Sequence, residues 1–87
     1  MVRPEAEIFG RRLREIREKR GLSQAGLAEE VERSGGRLTS NYVSDLERGL
    51  KAPTLTMILK LSRALGASVA ELLVDFSPER VRKLRLE

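Results

Sequence analysis

Between residues 38 and 49 the chain reads LTSNYVSDLERG, and Thr39, Ser40, Asn41 and Ser44 put four short hydrogen-bonding side chains into six positions. Each donates and accepts at short reach, so each is useful only to a surface that comes close to the backbone. Lys or Glu would solvate an ordinary face as well. The chemistry on offer is recognition, because the groups that make and break bonds are missing. The sequence has no His and no Cys. That removes the commonest general base, the commonest metal ligand, any imidazole-centred triad and any thiolate site. Glu29 and Glu30 are adjacent carboxylates but read as a solvated helix edge. SGGR at 34–37 has no strand before it and no Lys-Ser/Thr pair after it, so it is not a phosphate loop. No enzyme, metal or cofactor is expected.

At 87 residues the chain has length for one small core. Net charge is +4, from 17 basic and 13 acidic residues, and 13 of the basic residues are Arg, the better fork for phosphate. Basic residues gather at the two ends: Arg11, Arg12, Arg14, Arg17, Lys19 and Arg20, then Arg80, Arg82, Lys83 and Arg85. This balance is compatible with nucleic acid, and equally with solvated helix faces. No apolar run approaches the ~18 residues of a membrane span, and the charged N-terminus lacks a signal-peptide core. A soluble protein of the cytoplasm, associated with the nucleoid, is expected.

Helical periodicity runs nearly throughout, and no stretch alternates long enough for a sheet. A first helix should start near Pro4, bury Phe9, Leu13 and Ile16, and stop at Gly21. A second should be capped by Ser23 and use Ala25, Leu27, Ala28 and Val31, with Gly26 marking a close backbone approach. ERSGGR then breaks the chain, its two glycines lending flexibility. The third helix, about 39–48, should start on Thr39 or Ser40, bury Leu38, Val43 and Leu46, and end at Gly49. The fourth should be capped by Thr54 and turn Leu55, Ile58, Leu59, Ser62 and Leu65 inward. Ser68 to Glu71 is a capping box for a short fifth helix with Leu72 and Leu73 inward, and Ser77-Pro78 opens a short sixth with Val81 and Leu84 on one side. The fold class is therefore all-α, divided at residue 76 from a basic tail over 77–87.

Short helices two and three, the second of them beginning with small polar residues, suit a helix-turn-helix reader of duplex DNA. A recognition helix must bring its N-terminal turn against base edges in the major groove. Ser40, Asn41 and Ser44 permit that approach and keep donors and acceptors there, while the helix N-terminus offers free N–H groups to phosphate.

The series RGLSQ…LA, YVSDLERG, PTLTMILKLSRALG and SVAELL, in that order, resembles the phage-repressor, Xre-type helix-turn-helix family over roughly residues 8–74. The resemblance implies a compact five-helix, lambda-repressor-like domain. It implies a sequence-specific double-stranded DNA-binding transcriptional regulator, expected to repress although the family also activates, and small restriction-modification controllers share this size and layout. Gln24 matches a glutamine that bonds phosphate and braces the recognition helix. Ser40 and Asn41 match base-edge positions, Asn41 suited to an adenine; Ser44 and Asp45 lie one turn on. Lys51 sits where phosphate contacts are usual, and Arg11 or Arg12 is expected to clamp the outer flank. Arg17, seven residues before Gln24, and Glu47 match a structural ion pair. One small module buries little surface, so a homodimer on an inverted repeat is expected, with helix five and the tail as its dimer surface.

Two features depart from the family pattern. The stretch from Leu27 to Tyr42 is about five residues longer than usual; it adds Arg37 as a further phosphate contact or is a neutral insertion, since loop length costs little. Asp45 is acidic where the groove is expected, and would accept from a cytosine amino group or bond a neighbouring Arg. The competing class is an antitoxin-type protein-interaction module with secondary DNA binding, for which SPERVRKLRLE supplies only an eleven-residue basic tail.

Overall fold

The computed structural model describes residues 3–86, and six helices follow one another among them: α1 (Pro4–Lys19), α2 (Gln24–Arg33), α3 (Ser40–Glu47), α4 (Leu55–Leu65), α5 (Val69–Leu72) and α6 (Pro78–Lys83). The described residues contain no strand. Helix α1 starts on Pro4, with Glu5 and Glu7 in its first turn and Arg17 and Lys19 in its last, which complements the helix dipole at both ends. Each later helix starts by a hydroxyl that accepts an otherwise unpaired backbone N–H. The caps are Ser23, Thr39, Thr54, Ser68 and Ser77, and Ser68 completes a capping box with Glu71. Such caps are each worth about 0.5–2 kcal/mol, which matters for helices this short.

The core is built from all of the first five helices. Phe9, Leu13 and Ile16 of α1 meet Leu27, Ala28 and Val31 of α2, Val43 and Leu46 of α3, Leu61 and Leu65 of α4 and Leu72 of α5, with Leu38 and Ala67 between elements. The expected stripes of α1 and α3 are the ones buried. Two others need correction. Ala25 is exposed on α2. On α4, Leu55 and Leu59 are 70% and 52% exposed, whereas Leu61 is fully buried and had not been assigned inward. At about 100° per residue, Ile58, Leu61, Ser62 and Leu65 share one face and Leu55 and Leu59 fall on its flank. The apolar arc of α4 is wider than the core can cover, so periodicity locates the arc but not the covered half.

The tight helix crossing also lies elsewhere than expected. A Cβ on Gly26 would meet only Ser23 and Leu22, next to it in its own helix start. A Cβ on Gly10 would stand 2.3 Å from the Leu46 carbonyl oxygen and 2.6 Å from that of Glu47. Gly10 is therefore what lets α1 lie directly on the C-terminal turn of α3.

The extended connection between α2 and α3 opens with a hydrogen-bonded turn at its two glycines. Gly35 takes φ +95°, its N–H donates to Glu32 O at 2.9 Å, and Gly36 N–H donates to Val31 O at 3.0 Å. Those two bonds form a Schellman motif, which satisfies the last carbonyls of α2 and needs a left-handed residue at Gly35. Gly36 itself packs on Val31, where a Cβ would come within 2.9 Å of the Cγ1 methyl. Helix α3 ends in the same way at Gly49 and Leu50. Beyond α5, the sixth helix buries none of its residues, and Val81 lines a shallow apolar groove with Phe9, Ile58, Leu73 and Phe76.

Candidate nucleic-acid interface

Helix α3 presents two chemically distinct sides. Val43, Leu46 and Glu47 are buried, while Ser40 and Asn41 are exposed and Ser44 and Asp45 are half-buried. At about 100° per residue, positions 40, 41, 44, 45 and 48 span an arc of roughly 140° facing away from the core. The residue that opens the helix is Thr39, whose Oγ1 accepts from Tyr42 N–H at 3.1 Å. The sequence leaves the start position open between Thr39 and Ser40; Thr39 takes it, which leaves the Ser40 and Asn41 side chains outward on the first turn.

The inner side of α3 is anchored by polar as well as apolar contacts. Arg17 Nε and Nη2 donate to the two oxygens of Glu47 at 2.5 and 2.9 Å, with the side chains only 10% and 3% exposed. Arg17 Nη1 also donates to Leu22 O at 2.7 Å, and Gln24 Nε2 donates to Glu47 Oε1 at 3.1 Å. The Glu47 carboxylate thus ties α1 and the start of α2 to the last turn of α3, and Arg17 extends the network to the α1–α2 turn. The hydrogen bond to Glu47 raises the Arg17 pKa above its ordinary value, against the opposing pull of burial. The fork is bidentate, and the third guanidinium nitrogen is bonded to Leu22 O.

The outer side carries a second network. Arg48 Nη2 lies 3.2 Å from Asp45 Oδ1, Lys51 Nζ lies 3.5 Å from Asp45 Oδ2, and Lys51 Nζ stands 5.2 Å from the centre of the Tyr42 ring. Arg48 is the neighbouring Arg that the sequence offers Asp45 as an alternative to a base, whereas Tyr42 is not an expected site residue. The Asp45/Arg48 spacing of three on a helix was the available signal for the first; the Tyr42 contact depends on how the α3–α4 loop folds back.

The remaining expected residues are dispersed. Arg11 is exposed on α1, and Arg37 is exposed in the α2–α3 connection. Arg12 is drawn toward α5: its Nε donates to Glu71 O at 2.9 Å and its Nη1 contacts Glu15 at 3.3 Å. Its guanidinium thus closes the end of α5. No group of three or more His, Cys, Asp or Glu side chains fit to hold a metal ion occurs among the described residues, and no helix there is long and apolar enough to cross a membrane.

A helix-turn-helix family model matches residues 13–72, which contain α2, α3, α4 and α5 whole. The control protein C.BamHI of Bacillus amyloliquefaciens is 41% identical over 71 residues, covering 80% of each chain. Among solved structures, the restriction-modification controller protein C.AhdI from Aeromonas hydrophila superposes with a TM-score of 0.70 at 41% identity, over 78% of this chain and 91% of its own. The clp gene regulator ClgR from C. glutamicum superposes with a TM-score of 0.71 at 32% identity, over 94% and 95% of the two chains. With its helices, its anchored α3 and these relatives, the chain belongs to the Xre-type helix-turn-helix family of DNA-binding transcriptional regulators and is related to the restriction-modification controller proteins.

Proposed function

We propose that the protein is a sequence-specific repressor that binds an inverted-repeat operator as a homodimer, with α3 in the major groove. The carrying observation is the division of α3 into an outward arc of small polar side chains and an inward side locked by Leu46, Val43 and the Arg17–Glu47 pair. A rigid helix presenting short donors and acceptors is what base-edge readout demands. In this reading Ser40, Asn41, Ser44 and Asp45 face bases, Asn41 toward an adenine and Asp45 toward a cytosine amino group. Gln24, Thr39, Lys51, Arg37 and Arg11 contact phosphates and set the register.

Residues 1–76 form the DNA-binding unit and 77–87 a basic tail. The dimer face is α5 with the tail, where Val74 and Val81 are left exposed. The setting is the cytoplasm, on nucleoid DNA.

The test is selection on a random duplex library at low and moderate salt, with sedimentation of the free and bound protein. An inverted repeat with half-sites about one helical turn apart, bound by two chains, is expected. In that site Asn41→Ala relaxes the preference at one base pair, whereas Lys51→Ala weakens binding to the selected site without changing its base preference and flattens the salt dependence there. Binding seen only at low salt, with no motif, would sink the proposal and point to a protein partner.

A further inference from the structure

The outward network on α3 contains an arrangement that a plain DNA-binding face does not need. Arg48 and Lys51 both pair with Asp45 of the proposed base-reading arc, and their side chains are 63% and 55% exposed. Both are turned onto Asp45, one to each carboxylate oxygen, and Lys51 is further held over the Tyr42 ring. The carboxylate, 26% exposed, is more enclosed than either partner. Exposed ion pairs are individually weak, so a phosphate can displace such contacts. A shared carboxylate and an aromatic face acting together nevertheless bias both cations toward the protein.

We infer that Asp45 is a specificity-determining residue that acts by holding Arg48 and Lys51 off the phosphates of non-cognate duplex. The inference rests on the DNA-binding reading above. Non-specific affinity comes almost wholly from cations on phosphates, with log K falling by about 0.9 per log unit of salt for each contact. A protein that keeps two cations engaged internally gives up those contacts on arbitrary DNA. At a site whose major-groove amino group takes over the Asp45 oxygens, both cations are released to the backbone together. One carboxylate then links base identity to phosphate affinity.

The experiment measures anisotropy of a labelled random-sequence duplex against wild type, Asp45→Asn and Asp45→Ala between about 50 and 200 mM salt, a range over which phosphate contacts dominate affinity. The same Asp45 substitutions are repeated in an Arg48→Gln/Lys51→Gln background. Circular dichroism checks the fold, and Asp45 contributes nothing to the buried core. Freeing both cations predicts a salt slope steeper by up to about two and an affinity about tenfold higher at the low-salt end. In the Gln background the Asp45 substitutions should leave the slope unchanged. Equal steepening in that background would show simple repulsion by the carboxylate and overturn the inference, as would an unchanged slope in the single variants. Wild type that fails to bind any duplex at 50 mM salt would remove the DNA-binding reading itself, a result separable from either of those.

Discussion

Removing one partner of the Arg17–Glu47 pair should cost more than any other polar substitution in the protein. In Arg17→Met, the Glu47 carboxylate stays 3% exposed and keeps only the Gln24 amide at 3.1 Å. In Glu47→Met, Arg17 keeps Leu22 O but loses both carboxylate contacts. Stranding a buried charge costs about 3–5 kcal/mol, against a total of roughly 5–15 kcal/mol for a native domain. Either single variant is therefore expected to be close to unfolding at 37 °C. The double variant Arg17→Met/Glu47→Met removes both charges and leaves an apolar contact of similar volume, so it should be more stable than either single variant. Gln24 and Leu22 O still lose partners in it, which should leave a deficit of about 1–2 kcal/mol relative to wild type. Urea unfolding of the four proteins measures the terms, and the non-additivity should reach about 4 kcal/mol or more on these figures. Because the pair is enclosed, about 0.5 M salt should barely reduce that coupling, unlike the exposed Arg14–Glu18 pair. Single variants costing under about 1 kcal/mol, or a double variant equal to their sum, would refute the view that this pair pins α3.

Gly10→Ala pits two effects of opposite sign. Helix propensity favours Ala by about 1 kcal/mol, but the new Cβ would lie 2.3 and 2.6 Å from two backbone carbonyl oxygens of α3, which cannot rotate away. Overpacking of this kind costs about 1–3 kcal/mol or more, so net destabilisation and weaker DNA binding are expected, and a raised melting temperature would contradict the crossing described for α1 and α3. Ser68→Ala deletes the Oγ that accepts from Glu71 N–H at 3.0 Å; a loss of about 0.5–2 kcal/mol by denaturant unfolding is expected, and no loss would mean that α5 is held by Leu72 alone.

What the sequence makes legible in this protein is what local chemistry decides. Ser23, Thr54, Ser68 and Ser77 start helices, and Gly21, Gly49 and Gly66 follow their ends, because a cap hydroxyl and a left-handed residue act within a few positions of themselves. Facts that depend on a distant partner were not legible. Gly10 and Gly26 look alike in sequence, each a glycine within a helix, and only the arrival of α3 distinguishes them. The same holds for Leu59 and Leu61, two positions apart, of which only the second is covered. In the site, the outward short side chains of α3 follow from its periodicity, whereas Arg17 and Glu47, thirty residues apart, were paired only through family resemblance. The direction taken by Arg12 depends on where the end of α5 falls, and nothing within its own helix announces that.

The anchoring of α3 has an evolutionary consequence. Its attachment to the rest of the protein runs through Val43, Leu46 and Glu47, and none of the outward residues Ser40, Asn41 and Ser44 belongs to the buried core. Exchanges at exposed positions away from caps and networks usually change stability by less than about 0.5 kcal/mol. The outward triad can therefore drift through many combinations of side chains without passing through an unfolded intermediate. Under the proposed base-reading role of these side chains, a lineage carrying this scaffold can acquire a new cognate sequence in single steps, each of them nearly neutral for folding, and diverging copies in one cell can become mutually insulated while sharing the same core.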